Sequence, residues 1–423
     1  MLRLRGGHVI DPASGRDGVA DVWIDGGRIA AVGRAPRGAG KAREIPLAGK
    51  VLCPGFVDPG SHLREPGYEH KATIVSEARA AAAGGFTTVC CVPDTQPVLD
   101  NPSVVEHIAQ RAAAAGAAQV VCLGALTVGL DGEVLSEMHA LKAAGCVGVT
   151  NLDRAIKDTA VLKHALAYAA SAELTVFLHP EDYWLARQGS MHEGAVSTRL
   201  GVPGIPHAAE VIAVHRDLTL LGETGARAHF CRLSAADSVK PIVDARRRGL
   251  LVTADVDLGH LSFTVDDIGA FNANFHLRPP LRDARDRAAL RKAVKTGQID
   301  IVGAYHEPHD LDAKAAPFGL TDPGMSTYDC FLPALLELVA DDVFDLPTAI
   351  AAASTAPHRL LGQPGGTLEV GAPADLCVFD PRARWEATPA ALASAGKNSP
   401  YLGRTLTGRV TMTLVGGRVV FQR

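Results

Sequence analysis

Side chains able to bind metal or move protons recur at one place in this sequence, directly after its apolar runs. Asp58, His62 and Arg64, with Gly60 among them, follow residues 51–57, and Asp94 follows 86–92. Asn151 and Asp153 follow 146–150; His179, Glu181 and Asp182 follow 174–178. Arg232 and Ser234 follow 226–231, and Asp255, Asp257 and His260 close 250–256. Tyr305, His306, Glu307 and His309 follow 299–304. Imidazoles and carboxylates are the usual ligands of a catalytic divalent ion and the usual general acids and bases. Sixteen histidines in 423 residues raise the same question of a metal enzyme.

The elements that must position these groups are legible in the pattern. Together with 118–123, the apolar runs number eight, and helical segments lie between most of them. In Asp158–Ala172, apolar residues fall at 161, 162, 165, 166 and 169 behind an aspartate suited to an N-cap. Asp286–Thr296 is stopped by Gly297. Strands alternating with helices in this way predict an α/β fold, a (β/α)8 TIM barrel with its chemistry where strands end in loops. The stretch 174–224 is long and predicts an added loop. A doubly wound sheet is the rival, but no GxGxxG follows an early strand and no GxxxxGK[ST] occurs. Both chain ends are short alternating runs broken by Gly-Gly turns, as at Gly26-Gly27 and Gly416-Gly417. Residues 1–52 and 362–423 therefore predict one small composite β-sandwich domain, with 53–361 as the barrel.

Composition narrows the function classes. Hydrophobic residues make up 47%, enough for a large core. Lys+Arg total 42 against Asp+Glu 46, so no basic field points to nucleic acid or an anionic membrane. No apolar stretch reaches the roughly 18 residues of a membrane span. The N-terminus lacks the apolar core of a signal peptide. Eight scattered cysteines without a CxxC pair predict reduced, buried thiols and a cytoplasmic protein.

The segment Asp58-Pro59-Gly60-Ser61-His62-Leu63-Arg64-Glu65-Pro66-Gly67 resembles the dihydroorotases of the amidohydrolase superfamily. So do Val92-Pro93-Asp94-Thr95-Gln96-Pro97, His192-Glu193-Gly194, Pro279-Pro280-Leu281-Arg282 and His306-Glu307-Pro308-His309. Gly371-Ala372-Pro373-Ala374-Asp375-Leu376 and Val415-Gly416-Gly417-Arg418-Val419-Val420 extend the likeness to the end. The resemblance implies the barrel with its composite β domain, and zinc-assisted, reversible cyclisation of N-carbamoyl-aspartate to dihydroorotate. It also implies a ligand pattern: His-x-His after the first strand, a carboxylate or carboxylated lysine after the fourth, histidines after the fifth and sixth, and after the eighth an aspartate that is ligand and general base.

Against that pattern the chain departs at most positions. Gly60 stands for the first histidine, and His62 keeps the second. Asn151 and Leu152 occupy the acidic place; Lys142 lies upstream of it and Lys157 well beyond it. His179 is retained, Arg232 replaces the sixth-strand histidine, and Tyr305 replaces the final aspartate. Two imidazoles do not complete a zinc site. A guanidinium is always charged and cannot coordinate. A phenol with a reference pKa of about 10 does not act as a carboxylate base. On the substrate side Arg64 and His309 remain, but the family's asparagines have become Asp94 and Arg278. An anion at 94 would repel a bound carboxylate by about 4 kcal/mol at ~4 Å and an effective dielectric of ~20.

These departures read as a vestigial site comprising Asp58, Gly60, His62, Asn151, Leu152, His179, Arg232 and Tyr305, with no catalytic residue and no metal. Arg64 is expected to pair with Asp94, and Asp58 with Arg232. Glu181, Asp182, Asp255 and Asp257 read as loop caps and rim charges; His260, His306 and Glu307 are the rim groups from which a relocated metal site would be built. The resemblance then implies a pseudoenzyme, oligomeric and partnered with aspartate carbamoyltransferase. The alternative is an active zinc-dependent cyclic amidohydrolase with a reduced or relocated metal site. A third reading is a sensor that binds an anion through Arg64, Arg278 and His309.

Overall fold

The computed structural model describes every residue except Gly38 and Lys41. Eight parallel strands form the barrel: Phe56–Ser61, Phe86–Cys91, Gln119–Ala125, Cys146–Thr150, Thr175–Leu178, Ala228–Phe230, Val252–Asp257 and Ile301–Gly303. The long stretch before the sixth strand carries a two-stranded ribbon, Met191–His192 with Gly204–Ile205, and the helix His207–Thr224.

One apolar run divides. Val51–Pro54 pairs with Leu2–Asp11 and Leu376–Glu386 in the terminal sheet, while Phe56–Ser61 opens the barrel. Gly55 makes the crossing, and a Cβ there would lie 2.2 Å from Thr87 Cγ2. Among the described residues the terminal sheet takes five strands from the N-terminal end and three from the C-terminal end. Its Gly-Gly turns have positive φ at both residues, 53° and 81° at Gly26-Gly27 and 53° and 72° at Gly416-Gly417. That is the conformation a tight two-residue hairpin needs. Residues between Glu386 and Thr405 leave the sheet and return to the barrel. There Asn398 accepts the His309 N–H at 2.8 Å and donates to Glu307 O at 2.9 Å.

The barrel closes through a side chain. The buried Asp58 carboxylate, on the first strand, accepts Tyr305 N at 2.9 Å and His306 N at 3.1 Å, just beyond the eighth. His62 N adds a bond of 2.9 Å to His306 O. Beneath this seam Phe56, Phe86 and Phe331 pack with ring centroids 5.0–5.7 Å apart, joining two strands to the helix Tyr328–Ala340. All eight cysteines are free and buried. No helix among the described residues is long and apolar enough to cross a membrane.

Asp58→Ala leaves two seam N–H groups without acceptors. A loss of about 3 kcal/mol is expected, measured by urea denaturation.

Candidate functional site

Tyr305 dominates the mouth of the barrel. Its backbone is held at φ 45° by the bond to Asp58. The ring lies between two glycines: a Cβ on Gly60 would sit 2.6 Å from Cε1, and one on Gly303 2.7 Å from Cε2. The hydroxyl donates to Asp255 Oδ2, the oxygen that His229 Nε2 approaches at 2.8 Å. Asp255 Oδ1 accepts the Arg232 N–H at 2.5 Å. The Arg232 guanidinium lies 5.0 Å from the Tyr305 ring centre and donates to Asp257 Oδ2 at 3.3 Å. Burial, with Asp255 beside it, pushes the Tyr305 phenol well above its ordinary range. Burial and the Arg232 charge push His179 down to about 3, so its ring is neutral. At Asp257 burial outweighs Arg232 and raises the carboxyl to about 6.

Above this plug lies a cleft of about 650 Å³, lined by His62, Arg64, Asp94, Glu307, His309 and Arg278 among others. His62 Nδ1 is 2.6 Å from Asp94, and its Nε2 is 3.8 Å from Glu307. Burial lowers the His62 pKa, but the two carboxylates outweigh it and the net shift is upward. Arg64 reaches Asp94 at 3.2 Å, Glu307 at 3.1 Å, Pro308 O at 3.0 Å and His309 Nε2 at 3.1 Å. Arg278 pairs with Glu181. The anion-binding trio of the third reading is thus engaged by carboxylates of the same chain.

Several expectations need correction. Asp58 does not pair with Arg232; its oxygens face the seam amides, and Arg232 goes to Asp257. Asp255 is no rim charge, because its strand turns it into the barrel, fully buried. Asp257 caps its own turn at Gly259 N as well as holding Arg232. His260 faces Pro279 O at 3.0 Å, and His306 faces Glu77 at 2.7 Å while stacked 3.8 Å from Tyr328. They do not converge with Glu307. Asn151 is spent on Thr127, Leu130 O and Arg154 O, and Leu152 packs into the barrel core.

Tested as a zinc-pair cradle, these residues do not fit. Gly60 offers no atom and no room for one, Arg232 brings a fixed cation, and the Tyr305 hydroxyl is given to Asp255. The described residues contain two other sets with ligand atoms within 4.8 Å of one another: His229, Cys231 and Asp255, and His192, Asp283 and Asp286. The first was missed because His229 lies inside an apolar run. Its two-residue spacing from Cys231 was the available signal that both face inward.

Gly60→Ala should cost about 1–3 kcal/mol by overpacking against Tyr305, and distinctly less in a Tyr305→Ala background. A double-mutant cycle in urea measures it. His179 has a folded pKa of about 3 against an ordinary 6.5, so the stability from burying it neutral is present above pH 6.5 and lost as pH falls towards 3. His179→Gln should flatten that part of the stability–pH curve.

Comparison with known proteins places this architecture. The family profile described as Dihydro-orotase-like matches residues 49–238, and that of the Amidohydrolase family matches 311–421. A "Dihydroorotase-like protein" of Pseudomonas putida is 47% identical, covering 99% of this chain and 98% of its own. One from Pseudomonas aeruginosa is 45% identical, covering 100% and 99%. A "Dihydroorotase" of Anaeromyxobacter dehalogenans is 43% identical, covering 100% and 98%. Among solved structures, L-hydantoinase from Arthrobacter aurescens superposes with a TM-score of 0.88 at 22% identity, covering 100% of this chain and 96% of its own, a likeness of fold. With full-length relatives sharing nearly half its residues, the chain belongs to the dihydroorotase-like family of amidohydrolases.

Proposed function

We propose that this chain is a non-catalytic member of its family, a structural protein of pyrimidine biosynthesis that assembles with aspartate carbamoyltransferase in the cytoplasm. The observation that carries the loss of catalysis is the Tyr305 ring seated on Gly60, with its hydroxyl bound to Asp255. A dinuclear zinc site needs at least three protein ligands per ion, and here two expected ligands are Gly60 and Arg232. A buried guanidinium beside the neutral His179 repels a divalent ion where the family binds one. The general-base position holds a phenol whose proton is committed to a carboxylate. The assembly role rests on the resemblance to non-catalytic dihydroorotase-like proteins, and the free, buried thiols suit a reducing compartment.

The second reading is a zinc-dependent dihydroorotase with a relocated site. It is favoured by the name of the Anaeromyxobacter relative and by the inward-facing His229, Cys231 and Asp255. Metal content and turnover decide between the two. Protein purified without chelator should hold less than roughly a tenth of an equivalent of zinc and should not turn over dihydroorotate, whereas a catalytic site needs about one equivalent or more. Co-expression with the transferase should yield a complex of defined mass. A transferase that is fully assembled and active alone, and ignores this chain, would overturn the assembly role.

A further inference from the structure

The motif His192-Glu193-Gly194 has no part in the cleft at the barrel mouth. His192 stands instead on the short ribbon, where three helices begin. His207 is the first residue of His207–Thr224, Asp237 lies in the first turn of Ala236–Arg247, and Asp283 and Asp286 open Ala284–Lys295. Ligand atoms of His192, Asp283 and Asp286 all lie within 4.8 Å of one another. The buried Asp286 also faces His207: its Oδ1 is 3.6 Å from Nε2, and Asp237 Oδ2 is 3.8 Å from the same nitrogen. Two imidazoles and three carboxylates thus gather in one cluster, and none of them lines the mouth cleft.

His207 Nε2 has no hydrogen-bond partner among the described residues and is closed to water. Its distances to the two carboxylates are too long for hydrogen bonds. They are close to the separation of two ligands on one zinc ion, about 3.3–3.6 Å for bonds of about 2.0–2.2 Å. An ion bonded that closely fits a gap that a water molecule does not. Backbone amides hold two of the carboxylates in place: Asp286 Oδ1 accepts Ala236 N at 2.8 Å, and Asp283 Oδ1 accepts Asp286 N at 3.0 Å. Arg285 pairs with Asp237 through Oδ1, not through the oxygen that faces His207. Burial and the Arg282 charge push His192 below its ordinary range, so its ring is neutral at neutral pH. Arg282 NH1 lies 3.1 Å from His192 Nδ1. Metal binding gives up that contact, while Arg282 keeps Ile205 O at 2.8 Å and Ser234 Oγ at 3.0 Å.

We propose that His192, His207, Asp283 and Asp286, with Asp237 at the edge, form a site for one exchangeable divalent ion of the zinc or cobalt class. Imidazole with carboxylate is a donor set that suits such ions. Bound there, the ion ties the ribbon to the starts of three helices. Helix N-termini oppose a cation, while the three carboxylates outnumber the guanidiniums of Arg282 and Arg285, so the site is weak. The His207 and Asp237 side chains are 28% and 54% exposed, and the ion leaves on dialysis. Zinc that survives purification therefore still reports on the barrel mouth, and this site does not depend on the loss of catalysis.

The probes are zinc and cobalt, added to the full chain after dialysis. Crystals soaked in zinc should show an anomalous peak about 2.0–2.2 Å from His207 Nε2 and from Asp286. In solution, Co2+ should give a saturable visible absorption band, distinct from that of the hydrated ion, and should raise the melting temperature as a ligand of the folded state does. His207→Gln and His192→Gln each remove one ligand and leave the helix-capping carboxylates in place. Both variants should keep the wild-type circular dichroism spectrum and bind Co2+ more than about tenfold more weakly. No peak at this cluster, or a cobalt band that survives unchanged in His207→Gln, would overturn the proposal. A zinc peak at His229, Cys231 and Asp255 in its place would overturn it as well and favour the relocated catalytic site.

Discussion

The Asp58 carboxylate holds together the part of this molecule on which the rest depends. A parallel barrel must join its first and last strands, and here the eighth is only three residues long, Ile301–Gly303. Asp58 extends the seam beyond it by accepting the next two backbone amides, Tyr305 and His306. Burial raises the pKa of this carboxyl, while the amide donors work in the other direction. The same contacts set the backbone of residue 305 at φ 45°, which a non-glycine residue keeps only when its surroundings demand it. That conformation lays the Tyr305 ring across Gly60 and Gly303. The closure of the fold and the filling of its mouth are thus one arrangement.

The mouth of this barrel is filled by side chains of its own chain. Close packing tolerates little empty space, so positions that lack the side chains of the family pattern must be filled by other atoms. A tyrosine ring takes the volume beside Gly60, and a guanidinium supplies positive charge facing Asp257. Buried ion pairs are poor sources of net stability, but removing one partner is severe. Arg232–Asp257 and the Arg64–Asp94–Glu307 cluster therefore restrain one another, and changes among them are expected to come as sets. Relatives at 47% and 43% identity carry the names dihydroorotase-like protein and dihydroorotase, so this scaffold accommodates both descriptions at similar distance.

Much of the architecture was legible because it follows from local periodicity. Eight apolar runs and Gly-Gly turns specify strands and hairpins through side-chain alternation and positive φ, whatever lies far away in sequence. The division of residues 51–57 was not legible, since Gly55 reads like any loop glycine until Thr87 is placed against it. Within the site, the types at 60, 62, 179, 232 and 305 and the pairing of Arg64 with Asp94 could be read from motif position and charge. The partners of Asp58, Arg232 and Asp255 could not. Each is met on or just beyond a neighbouring strand, tens to hundreds of residues away in the chain: Asp58 with Tyr305, Arg232 with Asp257, and Asp255 with both His229 and Tyr305.

By itself, then, the sequence determined the fold class, the family resemblance and the positions at which the chain departs from the ligand pattern that the resemblance implies, because these depend on residue type and order. Only the tertiary structure decided what the side chains at those positions touch. It turned Asp58 to the seam and Arg232 to Asp257, and seated Tyr305 on Gly60. The physical reason is that ion pairing and packing are decided by distance and burial, and the barrel brings together at its mouth side chains that chain order keeps apart.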